Sequence, residues 1–273
     1  MKEIPKKLLS VIMAGVLTLS SVSLASAAEP NGMPQDESIP EGYKVIKQYD
    51  INDESTKVET PVQITTKSQV QSESRINELS TKEIKDKTVS DATYKDYDIK
   101  STNTETHIYR ELQNINTGTT MNQYVTDVAT TATPGDRSTQ TKDPNSDITL
   151  TMRLFYHSSS KGDGNTYLGL EKIYYRYDGT PDRSRVVGIS GTAIQWGPGI
   201  DGHAKTQEMT LAKQLGYELG KTNLVNLQNK GWTEVLDGGL ATQLGIQLTA
   251  DISNNGFIHS FTSQFFINGR GPI

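Results

Sequence analysis

His157 stands directly before Ser158, Ser159 and Ser160, which puts a titratable base next to candidate nucleophiles. A serine nucleophile needs that base within hydrogen-bond reach and a third group to orient it. Neighbours along a strand point to opposite faces, so adjacency in sequence does not supply the geometry. Gly188-Ile189-Ser190-Gly191 has part of a nucleophile elbow, but Thr192 replaces the second glycine and the setting is a strand instead of a strand-to-helix turn. With four histidines and no cysteine in the chain, thiolate nucleophiles, thiolate metal sites and disulfides are excluded. No catalytic residue is assigned.

Metal chemistry is equally thin. Asp201-Gly202-His203 offers two ligands in a Gly-Pro-rich loop, with no paired-histidine motif to join them. Lys161-Gly162-Asp163-Gly164-Asn165 is oxygen-rich, yet it lacks the D-x-D-x-D-G run and closing glutamate of an EF-hand. A hairpin turn explains it equally well. Ser160 to Tyr167 also comes near the S-x-D-x-G-x-T-W turn of sialidase-like hairpins, with Gly162 at the aspartate position and Tyr167 at the tryptophan position. No metal site and no cofactor is expected.

A polar-aromatic sheet face is the remaining candidate. If Ile148, Leu150, Met152, Leu154 and Tyr156 face inward, then Arg153, Phe155 and His157 share the outer face, and Lys172, Tyr174 and Arg176 share a face of the next strand. Cations beside flat rings stack on sugars and pair with phosphate or carboxylate, the chemistry of an anionic cell-wall polymer. These six residues are the ligand-binding candidates. The plain alternative is a solvated or inter-sheet face whose rings cover their neighbours.

The elements that must position them are strands. After Tyr94, short alternating runs separated by Gly, Pro, Asn and Asp predict an all-β fold, an antiparallel β-sandwich over 94–273. Leu244, Ile246, Leu248, Ala250 and Ile252 lie on one face of a strand that ends at Asn255-Gly256, a pair suited to a type I′ hairpin. A two-residue loop pairs Ile252 with His259, Ala250 with Phe261, Leu248 with Ser263, Ile246 with Phe265 and Leu244 with Ile267. Strands are also expected at 106–115, 121–130, 148–156, 167–177 and 185–196, although Met121, Tyr124, Val125 and Val128 also fit a helix; the last strand is bulged near Gly191 where its apolar face changes parity. Residues 205–219 fit either a helix, through Met209, Ala212, Leu215 and Leu219, or a strand pair around a glycine turn.

Upstream, Lys2, Lys6 and Lys7, an apolar run from Leu8 to Leu19, and Ala25-Ser26-Ala27 form the three parts of a secretory signal peptide over 1–27, cleaved after Ala27. Residues 28–93 are rich in charged and hydroxyl side chains with sparse apolar ones, and read as a flexible acidic linker or pro-region. The net charge of −5 is concentrated in the N-terminal half, and 147–273 is balanced. A nucleic-acid partner is therefore excluded as an expectation, and no segment after the leader suits stable membrane insertion. The sequence predicts a secreted, extracellular bacterial protein that binds a cell-wall polymer or an extracellular protein without catalysis. The alternatives are a secreted hydrolase acting on glycan or peptide through converging carboxylates and a histidine, and a secreted toxin or antagonist, suggested by the Ser/Thr-rich stretch from Thr102 to Thr141.

Overall fold

Alternation with period two carries almost all of the described chain into antiparallel β-structure. The computed structural model describes residues 33–34, 38–58, 62–72, 97–101, 105–134, 148–179, 185–239, 241–254 and 257–267. The strands are β1 (Tyr43–Gln48), β2 (Lys57–Val58), β3 (Val62–Ser72), β4 (Tyr97–Ser101), β5 (Glu105–Asn114), β6 (Thr120–Pro134), β7 (Ile148–Ser160), β8 (Thr166–Gly179), β9 (Arg185–Pro198), β10 (Ala204–Leu215), β11 (Asn223–Asn226), β12 (Val235–Leu236), β13 (Gln243–Asn254) and β14 (Phe257–Ile267). One sheet runs β1-β5-β6-β7-β8-β11, with β12 also on β8, β2 on β5 and β4 on β6. The second runs β10-β9-β13-β14-β3.

A single buried apolar cluster draws on both sheets. The first contributes Ile148, Leu150, Met152, Leu154 and Tyr156 of β7 and Leu168, Leu170, Ile173, Tyr175 and Tyr177 of β8; the second contributes β9, β13 and β14 side chains such as Ile189, Leu248 and Phe265. The β13–β14 register is the expected one throughout, from Leu244↔Ile267 to Ile252↔His259. A one-residue slip would turn Leu244, Ile246 and Leu248 to water, so burial fixes it. Asn255 and Gly256 connect the strands after the Asn254↔Phe257 pair; their turn lies outside the described residues, as do residues 1–32 and the side chain of His259. Gly245 is required where it stands. Its φ is +156°, and a Cβ there would lie 1.9 Å from the Phe265 carbonyl oxygen.

Two features depart from the sequence reading, and a third settles what it left open. Within 28–93, taken as linker, the structure forms β1, β2 and β3. β1 pairs with β5, and β3 pairs with β14 over eleven residues. An exposed strand edge offers unpaired N–H and C=O groups, so a polar segment can add to it through its backbone without carrying a large apolar face. Residues 204–215 form one strand along β9, with Met209 and Leu211 packed on the core, and Gly216 turns the chain at φ +67°. The β9 bulge falls at Val187, between the Asp251↔Gly188 and Ile252↔Val186 pairs, while Gly191 stays in register opposite Leu248. Gly191 was read as the bulge because the apolar face of the strand changes parity near it; a Cβ there would lie 2.4 Å from the Gln247 carbonyl oxygen.

Candidate functional site

The outer side of the first sheet carries polar side chains in rows across the strands. One row runs Arg110 on β5, Gln123 on β6, His157 on β7 and Gly169 on β8. Beside it β8 is bulged, since Tyr156 pairs with Leu170 and Phe155 with Lys172, leaving Glu171 over. A bulge re-aims the extra side chain. Here it puts Glu171 beside His157, and the Leu227 N–H closes the bulge by donating to the Glu171 carbonyl at 2.8 Å.

His157 lies between two carboxylates. Its Nδ1 is 2.9 Å from Glu171 Oε1 and its Nε2 is 2.8 Å from Glu234 Oε1. Gln123 Nε2 donates to both Glu171 oxygens at 2.9 Å, and Ser159 Oγ donates to Glu234 Oε2 at 2.5 Å. Glu171 is 3% exposed and Glu234 is 25% exposed, so the cluster meets solvent at its Glu234 end. Burial opposes the imidazolium charge, but hydrogen bonds and attraction from the two glutamates outweigh it and raise the His157 pKa to about 9. For Glu234, burial works upward, yet the bonds from His157 and Ser159 hold it below the ordinary carboxylate value. Gly169 makes room for the ring, because a Cβ there would be 2.5 Å from His157 Cε1 and 3.2 Å from Glu234 Cγ.

Glu234 is brought in from a distant segment. Thr233 before it is bound through both backbone groups by Gln207, and its carbonyl also accepts from Gln195 at 2.8 Å. The Glu234 carbonyl accepts from Ile200 N–H at 2.9 Å, and β12 follows immediately on β8. This loop therefore ties the first sheet to β9 and β10 of the second.

Chemically, the arrangement is closed. An imidazolium donating through both nitrogens has no lone pair with which to take a proton. Ser159 is bonded to a carboxylate, so it forms no nucleophile–base pair with His157. Among the described residues, no group of three His, Asp or Glu side chains is arranged to hold a metal ion.

The six predicted binding residues lie together on this side of the first sheet, although they are far from fully solvated. Arg153, Phe155 and Lys172 are 2%, 2% and 6% exposed. Met33, Pro34 and Ser38 lie against them. Arg153 forms a fork to Asp127, with Nε and Nη2 each at 2.7 Å, and sends Nη1 to the Met33 carbonyl at 3.1 Å. Lys172 donates to the Ser38 hydroxyl, and Arg110 Nη1 donates to the Ser38 carbonyl at 3.1 Å. Phe155 meets Tyr109 and Tyr174 edge-on at 5.3 and 6.0 Å, with Ile51 packed on the same cluster. Arg176 pairs with Asp178 at 2.8 Å. The other sequence candidates do not join this site. Asp163 accepts from Asn165 N–H and the Tyr167 hydroxyl within its hairpin turn. Asp201 pairs with Lys205 and caps the His203 N–H. Ser190 sits mid-strand opposite Thr249.

Glu171, Glu234, Gln123, Asp127 and Arg110 were missed, as was His107, which bonds Thr56 Oγ1 through Nδ1 at 2.9 Å. Glu171 gave one usable signal: Leu170 and Ile173 break strict alternation in β8. Glu234, 77 residues from His157, gave none. Comparison with protein-family models, curated proteins and solved structures returns no match for this chain.

Proposed function

We propose that the chain is an exported bacterial protein, freed of residues 1–27 by cleavage, whose β-sandwich binds a cell-wall polymer or an extracellular protein without catalysis. One observation carries the reading: Arg110, Arg153 and Lys172, set among Tyr109, Phe155 and Tyr174, hold Met33 and Ser38 by carbonyl and hydroxyl oxygens. The same donors suit the carboxylates of an acidic segment or the oxygens of an anionic polymer. His157 and its glutamates support that face from one side as a charged, rigid network.

The hydrolase reading has less support. Its two carboxylates do converge, but on a histidine that satisfies both, which leaves neither poised as acid or base. The toxin reading rests on Thr102–Thr141, part of which lies outside the described residues; β6 within it is paired on three strands, β4, β5 and β7. Chemical crosslinking in culture followed by mass spectrometry tests the proposal. The expected result is a chain beginning at Ala28 and linked to wall polymer or an extracellular protein. A chain recovered inside cells with residues 1–27 attached would refute it.

A further inference from the structure

We propose that the outer face of the second sheet binds a neutral polysaccharide, as a second site beside the cationic face of the first sheet. Its residues follow from the register. Leu244, Ile246, Leu248 and Ala250 of β13 point into the core, so Gln243, Gly245, Gln247 and Thr249 between them point outward. Cross-strand pairing extends these positions into rows. Thr210 on β10, Thr192 on β9, Gln247 on β13 and Gln264 on β14 form one row, and Ser190, Thr249 and Thr262 form the next. On the other side of the amide row stand Ile194, Gly245 and Phe266, with Trp196 and Gln243 beyond them.

The chemistry of the face is that of hydroxyls and amides. Gln264 Nε2 donates to Gln247 Oε1 at 2.6 Å, and Thr249 and Thr262 share a hydrogen bond of 2.8 Å between their hydroxyls. These lateral bonds use only part of each group's capacity: Gln264 keeps its carbonyl oxygen, Gln247 its NH2 group, and the threonine pair one hydroxyl proton. All four side chains are half-buried. Already bonded to one another, they lose little further rotamer freedom to a partner. Sugar hydroxyls match them, being donor and acceptor at once. Ile194 and Phe266, 6% and 5% exposed, make the neighbouring row apolar, and the half-buried Trp196 adds an aromatic ring for the C–H groups of a pyranose.

Charge decides the class of polymer. Glu208 stands opposite Ile194 on β10, Lys67 stands opposite Thr262 on β3, and Asp251 pairs with Lys213 at 2.9 Å. These two carboxylates and two ammonium groups balance, and they surround an uncharged centre. Such a face gives a polyanion or polycation no net attraction, whereas a neutral polyol needs none.

Biolayer interferometry tests this, with the chain as exported and an immobilised glucan, mannan, galactan and xylan as probes. We expect binding to at least one of them, changed less than about twofold when salt rises from about 0.1 to 1 M, because no ion pair is formed. Gln247→Ala with Gln264→Ala should weaken it by about tenfold or more, through the loss of two hydrogen-bonding groups. Thr249→Val with Thr262→Val deletes the hydroxyl pair and keeps shape and strand preference; it should weaken binding about fivefold and carries the test should the alanine pair unfold. Wild type that binds none of the four overturns the inference, and self-association lost in the same variants would then assign the face to a second copy of the chain. Binding that salt abolishes, or that neither folded variant weakens, also overturns it. Arg110, Arg153 and Lys172 lie on the first sheet, so failure here leaves the reading of the cationic face standing, and failure of that reading leaves these outcomes unchanged.

Discussion

Raising pH should loosen this protein over a window set by His157. Its folded pKa of about 9 lies above its ordinary 6.5, so between those values the folded state holds a proton that the unfolded state has released. The stability this provides is complete below about pH 6.5 and is lost as pH rises through 9. At about 1.4 kcal/mol for each tenfold change in proton affinity, the contribution is about 3 kcal/mol. For a chain of this size each kcal/mol moves Tm by about 2–4 °C, so Tm should fall by about 6–12 °C across the window. Calorimetric melts from pH 6 to pH 10 measure it, with His157→Gln as reference for lysines and tyrosines that titrate nearby. The wild-type curve should converge on the variant curve at high pH, and the difference between them should carry the slope. Parallel curves over the whole range would refute the reasoning. The variant should also be less stable at pH 7 by about 3–5 kcal/mol, because Glu171 is left buried without its cation.

Other substitutions probe the supports. Gly169→Ala forces the imidazole to yield to a Cβ at 2.5 Å; it should cost about 1–3 kcal/mol in denaturant unfolding and lower the His157 pKa in an NMR titration. Gly245→Ala, with the Phe265 carbonyl oxygen 1.9 Å from its Cβ, should cost about 3 kcal/mol or more, against about 1 kcal/mol for Gly42→Ala, whose site at φ +80° has open space. Arg153→Gln strands Asp127, and a double-mutant cycle with Asp127→Asn should return a coupling of about 1.5–3 kcal/mol, since the fork between them is charge-assisted on both sides. Acid should act at the other end of the network. The stability from Glu234, held below its ordinary 4.5, is full above that value and lost as pH falls through the depressed one, which melts below pH 5 would show as a drop absent from Glu234→Gln.

What the sequence made legible was whatever followed a fixed period. Alternation in β13 and β14 determined their register, and alternation in β7 placed Arg153, Phe155 and His157 on one face, as found. Interruptions of the period were harder to read. The bulge that brings Glu171 to His157 removes one residue from the pattern, and the bulge at Val187 was mistaken for one at Gly191. Burial of the polar face was also hidden, because the segment that covers it attaches by backbone oxygens and edge pairing, which leave little trace in composition. Glu234 illustrates the general limit. Its role depends on a loop held by Gln195 and Gln207 from the other sheet, and no local spacing encodes that.

The central claim is that the His157 cluster is a charged support for a binding face and not a reactive centre. The ¹⁵N chemical shifts of the imidazole at pH 7.5 test it most directly. The account predicts that both ring nitrogens carry protons and titrate only near pH 9. A neutral ring at that pH, titrating near 6.5 with one nitrogen free to accept a proton, would contradict it.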